Sequence, residues 1–195
     1  MQEIYSQRLR IEHPHITLWH ALKNGDRDAL AQLFTAYYPL LIRYGSKICA
    51  DKGLLEDSIQ DLFAEIWQSK SRSEIQSVQA YLLKALKYKL YKKQRFPHST
   101  TLNENDPGEM LFEVSHDNFM IEQQEDFNKK QRIIDALKKL SNRQREIIYL
   151  KIYQELSYEE ISDIMNINYQ VARNLMSQAI KALKKTLLML VGWVL

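Results

Sequence analysis

Tyr158-Glu-Glu-Ile-Ser-Asp-Ile-Met-Asn166-Ile-Asn-Tyr-Gln-Val-Ala-Arg-Asn-Leu175 is the stretch that decides the fold. Ile161 and Ile164 stand three residues apart and face a core. Ser157 and Glu160 fit a capping box at the start of this short helix, as Ser141 and Gln144 do upstream. Ser162 is small, as two closely crossing helices require. Asn166 falls at the turn, where the chain commonly needs a positive φ; Gly is usual there and Asn is next best. Asn168 can then cap the following helix. Ala172 and Leu175 turn back to the core, while Arg173, Asn174, Ser177, Gln178 and Lys181 lie on the other side. The pattern is a helix-turn-helix whose second helix presents side chains to a DNA major groove. The competing reading is a helical hairpin with a solvated polar face; two capped helices about one tight turn favour the former.

Outward from this stretch the chain reads as helical. It holds 5 Gly and 4 Pro, where average usage would give roughly 14 and 10. So few chain-breakers argue against an all-β fold with many tight turns. Leu30, Leu33, Phe34, Tyr37, Leu41, Tyr44 and Ile48 form one apolar stripe, with Pro39 expected to kink it. Leu55, Ile59, Leu62, Phe63, Ile66 and Trp67 form a second, and Val78, Tyr81, Leu82, Ala85 and Leu86 a third. Lys181, Lys184 and Lys185 are expected near the far end of the last helix, where cations suit its dipole. The fold class is all-α, as two small bundles.

Charge divides the chain. Residues 1–96 carry net +5, residues 97–127 net −8 with no Lys or Arg, and residues 128–195 net +6. This is a basic domain, an acidic linker and a second basic domain. Pro97, Pro107 and Gly108 fall in the linker, which is expected to be extended or weakly ordered. One cysteine, Cys49, excludes an internal disulfide framework and a thiol zinc site. The five histidines do not repeat at ligand spacing, so neither a metal nor a cofactor is expected. No stretch reaches the roughly 18 apolar residues of a membrane helix, and the N-terminus lacks an apolar signal core. The expected location is the cytoplasm.

Two further surfaces bear on partners. Lys84, Lys87, Tyr88, Tyr91, Lys92 and Arg95 recur at helical steps and should share one face. Cations contact phosphates, and interleaved aromatics stack on unpaired bases, a combination that favours partly single-stranded DNA. The competing reading is a solvated lysine face with tyrosines flanking a core. Asp57, Gln60 and Asp61 stand beside Phe63 and Trp67, a polar–acidic face with large apolar residues that suits a protein partner. Here the alternative is that Phe63 and Trp67 are core, and some of both is expected.

In order and spacing, these residues resemble the extracytoplasmic-function group of the bacterial sigma-70 family. Glu56-Asp-Ser-Ile-Gln-Asp-Leu-Phe-Ala-Glu-Ile-Trp67 is similar to region 2.2 of that family, and Gly25-Asp-Arg-Asp-Ala-Leu with Tyr37-Tyr-Pro39 resembles region 2.1. Ala80-Tyr-Leu82 and the basic helix after it resemble regions 2.3 and 2.4. Ala136-Leu137, Leu140-Ser141, Arg145-Glu146 and Leu156-Ser-Tyr-Glu-Glu-Ile161 resemble region 4. Tyr88 and Lys92 depart from an Asn and an Asp usual in the basic helix. The resemblance implies that Asp57, Gln60, Asp61, Phe63 and Trp67 hold the β′ clamp helices of core RNA polymerase. It implies that Lys84, Lys87, Tyr88, Tyr91, Lys92 and Arg95 meet the minus-ten element, capturing a flipped base. It assigns Gln170, Arg173, Asn174, Ser177, Gln178 and Lys181 to the minus-thirty-five element, with the β flap as that domain's protein partner. By resemblance the linker would thread the RNA path as an acidic placeholder; charge attraction would instead fold it back to mask the basic domains, and the plain alternative is a solvated tether. An anti-sigma factor is a further partner that the resemblance allows.

Two other classes compete. A helix-turn-helix regulator with a helical sensor or dimerisation domain explains residues 141–185 but neither the Lys–Tyr stripe nor the Asp57–Trp67 face. A helical adaptor without a nucleic-acid role leaves both basic blocks unexplained. An enzyme lacks support: the sequence has no Gly-rich phosphate loop, no metal spacing and no recognisable pair of nucleophile and base.

Overall fold

The computed structural model describes residues 14–69, 74–95, 111–113 and 127–192, with side chains at all of these except residues 95, 127–130 and 188–192. Among the described residues there are helices and connections but no strand. None of their helices is long and apolar enough to cross a membrane. The chain divides into two units, Met1–Leu102 and Asn103–Leu195.

The first unit is built from α1 (residues 14–23), α2 (Arg27–Gly45), α3 (Lys52–Gln68) and α4 (Val78–Arg95). Gly25 takes φ +91° between α1 and α2, a conformation that costs a side-chain-bearing residue far more. Asp26 caps α2 by accepting from the N–H groups of Asp28 (2.8 Å) and Ala29 (3.1 Å), and Asp51 caps α3 through the Leu54 N–H (3.0 Å). The α2 helix continues through Pro39 to Gly45. Leu33, Tyr37, Leu41 and Tyr44 of α2 are buried with Leu55, Ile59, Leu62 and Ile66 of α3. From α4 come Val78, Leu82, Leu83, Leu86 and Leu90, and from α1 Trp19 and Leu22. Each such aliphatic side chain contributes roughly 1.5–3 kcal/mol by leaving water, which turns the amphipathic stripes into a bundle. Leu30 and Phe34 lie only half-buried at its edge. At Gly45 the helices approach so closely that a Cβ would collide with a methyl of Leu55.

The second unit comprises α5 (Phe127–Lys138), α6 (Asn142–Ile148), a π-helical turn over Tyr149–Tyr153, α7 (Tyr158–Met165) and α8 (Tyr169–Gly192). Both expected capping boxes form, Ser141 with Gln144 and Ser157 with Glu160. The π-helical turn was not legible in the sequence. It closes with the Gln154 N–H donating to the Tyr149 carbonyl (3.1 Å), and Glu155 then takes φ +54°.

Two expectations need correction here. The lysines at 181, 184 and 185 are not at a helix end: α8 runs on to Gly192 and has no basic residue in its last turn. Thr186-Leu-Leu-Met-Leu-Val offers no breaker, so the helix carries on past the cations and gains no dipole benefit from them. The acidic linker is not uniformly a tether either. Phe112 is 2% exposed, its N–H donates to Asn142 Oδ1 (3.2 Å), and its ring centroid is 5.7 Å from that of Tyr149. A large aromatic in a polar stretch gains more from a hydrophobic slot than from solvent. The other residues of 97–126, with the placeholder and mask readings that depend on them, lie outside the described residues.

Candidate nucleic-acid and protein interface

The first candidate surface lies on α3 and α4. Asp57, Gln60 and Asp61 are exposed, as a docking face requires. Trp67 is 38% exposed, whereas Phe63 is only 5% exposed. Phe63 packs edge-on against Phe34, with centroids 5.0 Å apart, so it belongs mainly to the core. It nonetheless floors an apolar groove of about 390 Å³ with Leu30, Phe34 and Trp67 on its walls. The candidate docking face is therefore an exposed acidic row beside a groove with an indole at its edge.

Asp61 and Glu65 also do something the sequence reading missed. Lys93 donates to Asp61 (2.7 Å) and Lys89 to Glu65 (2.5 Å), joining α3 to α4. The hydrogen bond from Lys93 is the main cause holding the Asp61 carboxyl below its ordinary value. The signal was present: two acids four apart on one helix face two lysines four apart on the next, in antiparallel order. The carboxylate of each pair is more than half exposed, so each pair contributes no more than about 1 kcal/mol.

On α4, Lys84 is exposed and Tyr88 is 41% exposed, while Tyr91 and Lys92 are half-buried. Lys87 departs from the expected exposed face: it is 8% exposed. Leu83, Leu86 and Leu90 fix the inward stripe, and position 87 completes its i, i+3, i+4, i+7 pattern. The aliphatic stem of Lys87 lies in the buried row. Arg95 ends the helix, and its side chain lies outside the described residues. Tyr88 and Lys92 meet over a shallow cavity of about 310 Å³ between α3 and α4, which Glu65, Ser69, Tyr81 and Lys89 also line. Burial raises the Tyr81 hydroxyl above its usual pKa, with the Glu65 charge adding to the effect. That hydroxyl therefore stays a neutral hydrogen-bonding group. A pocket with phenols and ammonium groups on its rim suits a planar base attached to a phosphate.

The second surface is the outer face of α8. Asn166 adopts the left-handed conformation expected of it, φ 49° and ψ 55°. Asn168 Oδ1 accepts from the Val171 N–H (2.8 Å) and caps α8. Ala172 and Ala179 are fully buried and Met176 nearly so, while Leu175, expected to face the core, is half-buried. This row aims Gln170, Arg173, Asn174, Ser177, Gln178 and Lys181 outward, and all six are exposed. Gln170 donates to Asn174 (3.1 Å) one turn on. The Arg173 guanidinium lies 5.8 Å from the ring centroid of Tyr169, a residue the sequence reading passed over. Six polar side chains on a capped helix after a tight left-handed turn form a surface able to read base edges.

Residues 130–183 match the family model described as Sigma-70, region 4. An "ECF RNA polymerase sigma factor SigK" of Mycobacterium sp. (strain JLS) is 24% identical over 168 residues, covering 83% of this chain and 84% of the relative. A protein of the same description from Mycobacterium ulcerans (strain Agy99) is 24% identical over 176 residues, covering 87% and 91%. CnrH, solved in complex with the cytosolic domain of CnrY, has a similar fold, with a TM-score of 0.59 at 17% identity over 88% of this chain and 96% of that one. So does the sigma factor RpoE in complex with the anti-sigma factor NepR from Bartonella quintana, with a TM-score of 0.52 at 21% identity over 80% and 95%. The helix-turn-helix geometry of the second unit, the helical first unit and these likenesses agree: residues 130–183 match sigma-70 region 4, and most of the chain is similar to extracytoplasmic-function sigma factors.

Proposed function

We propose that this sigma factor divides its work between the two units as follows. The first unit holds core RNA polymerase through Asp57, Gln60, Asp61 and Trp67, with Phe63 supporting the groove from beneath. It meets the minus-ten element through Lys84, Tyr88, Tyr91, Lys92 and Arg95. The second unit reads the minus-thirty-five element through Gln170, Arg173, Asn174, Ser177, Gln178 and Lys181. The observation that carries the proposal is the outward row of α8, fixed by the left-handed turn at Asn166 and the Asn168 cap. The chain brings no catalytic group; the chemistry belongs to polymerase. Its place of action is the cytoplasm, where core polymerase and promoter DNA are found. One solved relative is bound to an anti-sigma factor, and that supports a protein antagonist here as well.

The docking assignment is tested by core-polymerase affinity. Asp57→Lys reverses a charge on the acidic row without touching the Asp61–Lys93 pair. Core affinity should fall at least tenfold, with the helical circular dichroism unchanged. Unchanged affinity would remove Asp57 from the interface, and the same result for Trp67→Ala would move the interface elsewhere.

A further inference from the structure

The face of α8 carries a second layer of order beneath the residues that meet DNA. The Arg173 guanidinium lies over Tyr169, 5.8 Å from its ring centroid. Tyr169 stands edge-on to Tyr158 of α7, with centroids 6.0 Å apart and planes at 80°. Lys151 lies over the other ring, 4.8 Å from its centroid, and is itself tied to the Leu156 carbonyl (2.8 Å). Two rings flanked by two cations thus link the π-helical turn through α7 to the reading helix. Tyr169 is 42% exposed, so hydrophobic burial alone does not explain its place.

We propose that Tyr169 is a specificity-determining positioning residue: its ring holds the Arg173 guanidinium by a cation–π contact and so restricts where the arginine's N–H donors point, toward a base. The argument is geometric. A guanidinium held by a cation–π contact spends no N–H hydrogen bond on the ring and keeps its planar donor edge free. A bidentate contact to guanine uses those in-plane donors. The cation–π contact and base reading are therefore compatible, and the contact removes rotamers that an arginine on a bare helix would otherwise sample. The neighbouring Gln170–Asn174 pair restrains the adjacent position in the same one-turn manner. The proposal rests on Arg173 being a base reader.

The test uses holoenzyme assembled from core polymerase and this chain, selecting on a duplex library randomised across the upstream promoter element. Arg173→Ala should flatten preference at one base position by about tenfold or more. Tyr169→Leu should weaken preference at that same position by about two- to fivefold, the equivalent of an exposed cation–π contact, with the thermal midpoint and preferences elsewhere retained. Tyr169→Phe keeps the ring and should behave as the unmodified protein. If Tyr169→Leu leaves the preference intact while Arg173→Ala flattens it, the positioning role is wrong. If Tyr169→Phe loses affinity uniformly across sequences, the tyrosine acts through its hydroxyl on phosphate, and the proposal also falls. If Arg173→Ala changes no base preference, it is the assignment of Arg173 as a reader that fails.

Discussion

Phe112→Ala tests whether a piece of the acidic linker belongs to the second unit's core. The ring is 2% exposed and rests against Tyr149. Truncating a buried Phe costs about 3–5 kcal/mol, combining the lost transfer energy with the cavity left behind. The backbone hydrogen bond to Asn142 survives the change, since it uses the main-chain N–H. For a unit of this size 1 kcal/mol moves the midpoint by about 4–8 °C, so the expected fall is about 12 °C or more. Scanning calorimetry of the full chain should show this fall in the second unit's transition alone. Leu111→Ala is the internal control: Leu111 is 68% exposed, and its truncation should stay within about 0.5 kcal/mol. Equal effects from the two substitutions, or a Phe112→Ala shift below about 4 °C, would refute the view that Phe112 is a core residue.

The remaining expectations concern the turn, the helix crossing and acid. Asn166→Ala forces an ordinary residue into the left-handed region and should cost about 1–2 kcal/mol, whereas Asn166→Gly should cost little, as read by denaturant midpoints. Gly45→Ala drives a methyl into Leu55 and should destabilise the first unit by about 1–3 kcal/mol, leaving the second unit's amide exchange unaltered. Asp61 is held below the ordinary aspartate value of 3.8 chiefly by its hydrogen bond from Lys93. Its contribution to stability is therefore present above that pH and lost as pH falls through the lower folded value. Asp61→Asn should remove that slice of acid sensitivity, at most about 1 kcal/mol; identical acid-unfolding curves for the two proteins would contradict the pairing.

Local signals were the legible ones. Asn166 marked its own turn because few residues tolerate positive φ, and Ser141 and Ser157 marked helix starts because their partners lie three residues away. The three apolar stripes carried the first unit for the same reason. What the sequence hid depends on neighbours distant in the chain. Lys87 looked like surface until Leu83, Leu86 and Leu90 set the inward row. Phe63 divides its role as expected: its ring packs against Phe34 in the core and also floors the groove. Phe112 sat in an acidic run with no period to betray its slot. The Tyr169–Arg173 contact was in reach of the one-turn rule but was eclipsed by the polar residues around it.

The central claim is that this chain works as a promoter-selecting subunit and not as a free DNA-binding regulator. Transcription in vitro on a genomic library, with purified core polymerase with and without the chain, tests it most directly once start sites are mapped. The account predicts starts that depend on the chain and share two upstream elements, at spacings set by polymerase. Arg173→Ala should then alter base preference in the upstream element only. Tight binding of the chain alone to duplex DNA, with no new starts in the presence of core polymerase, would contradict it.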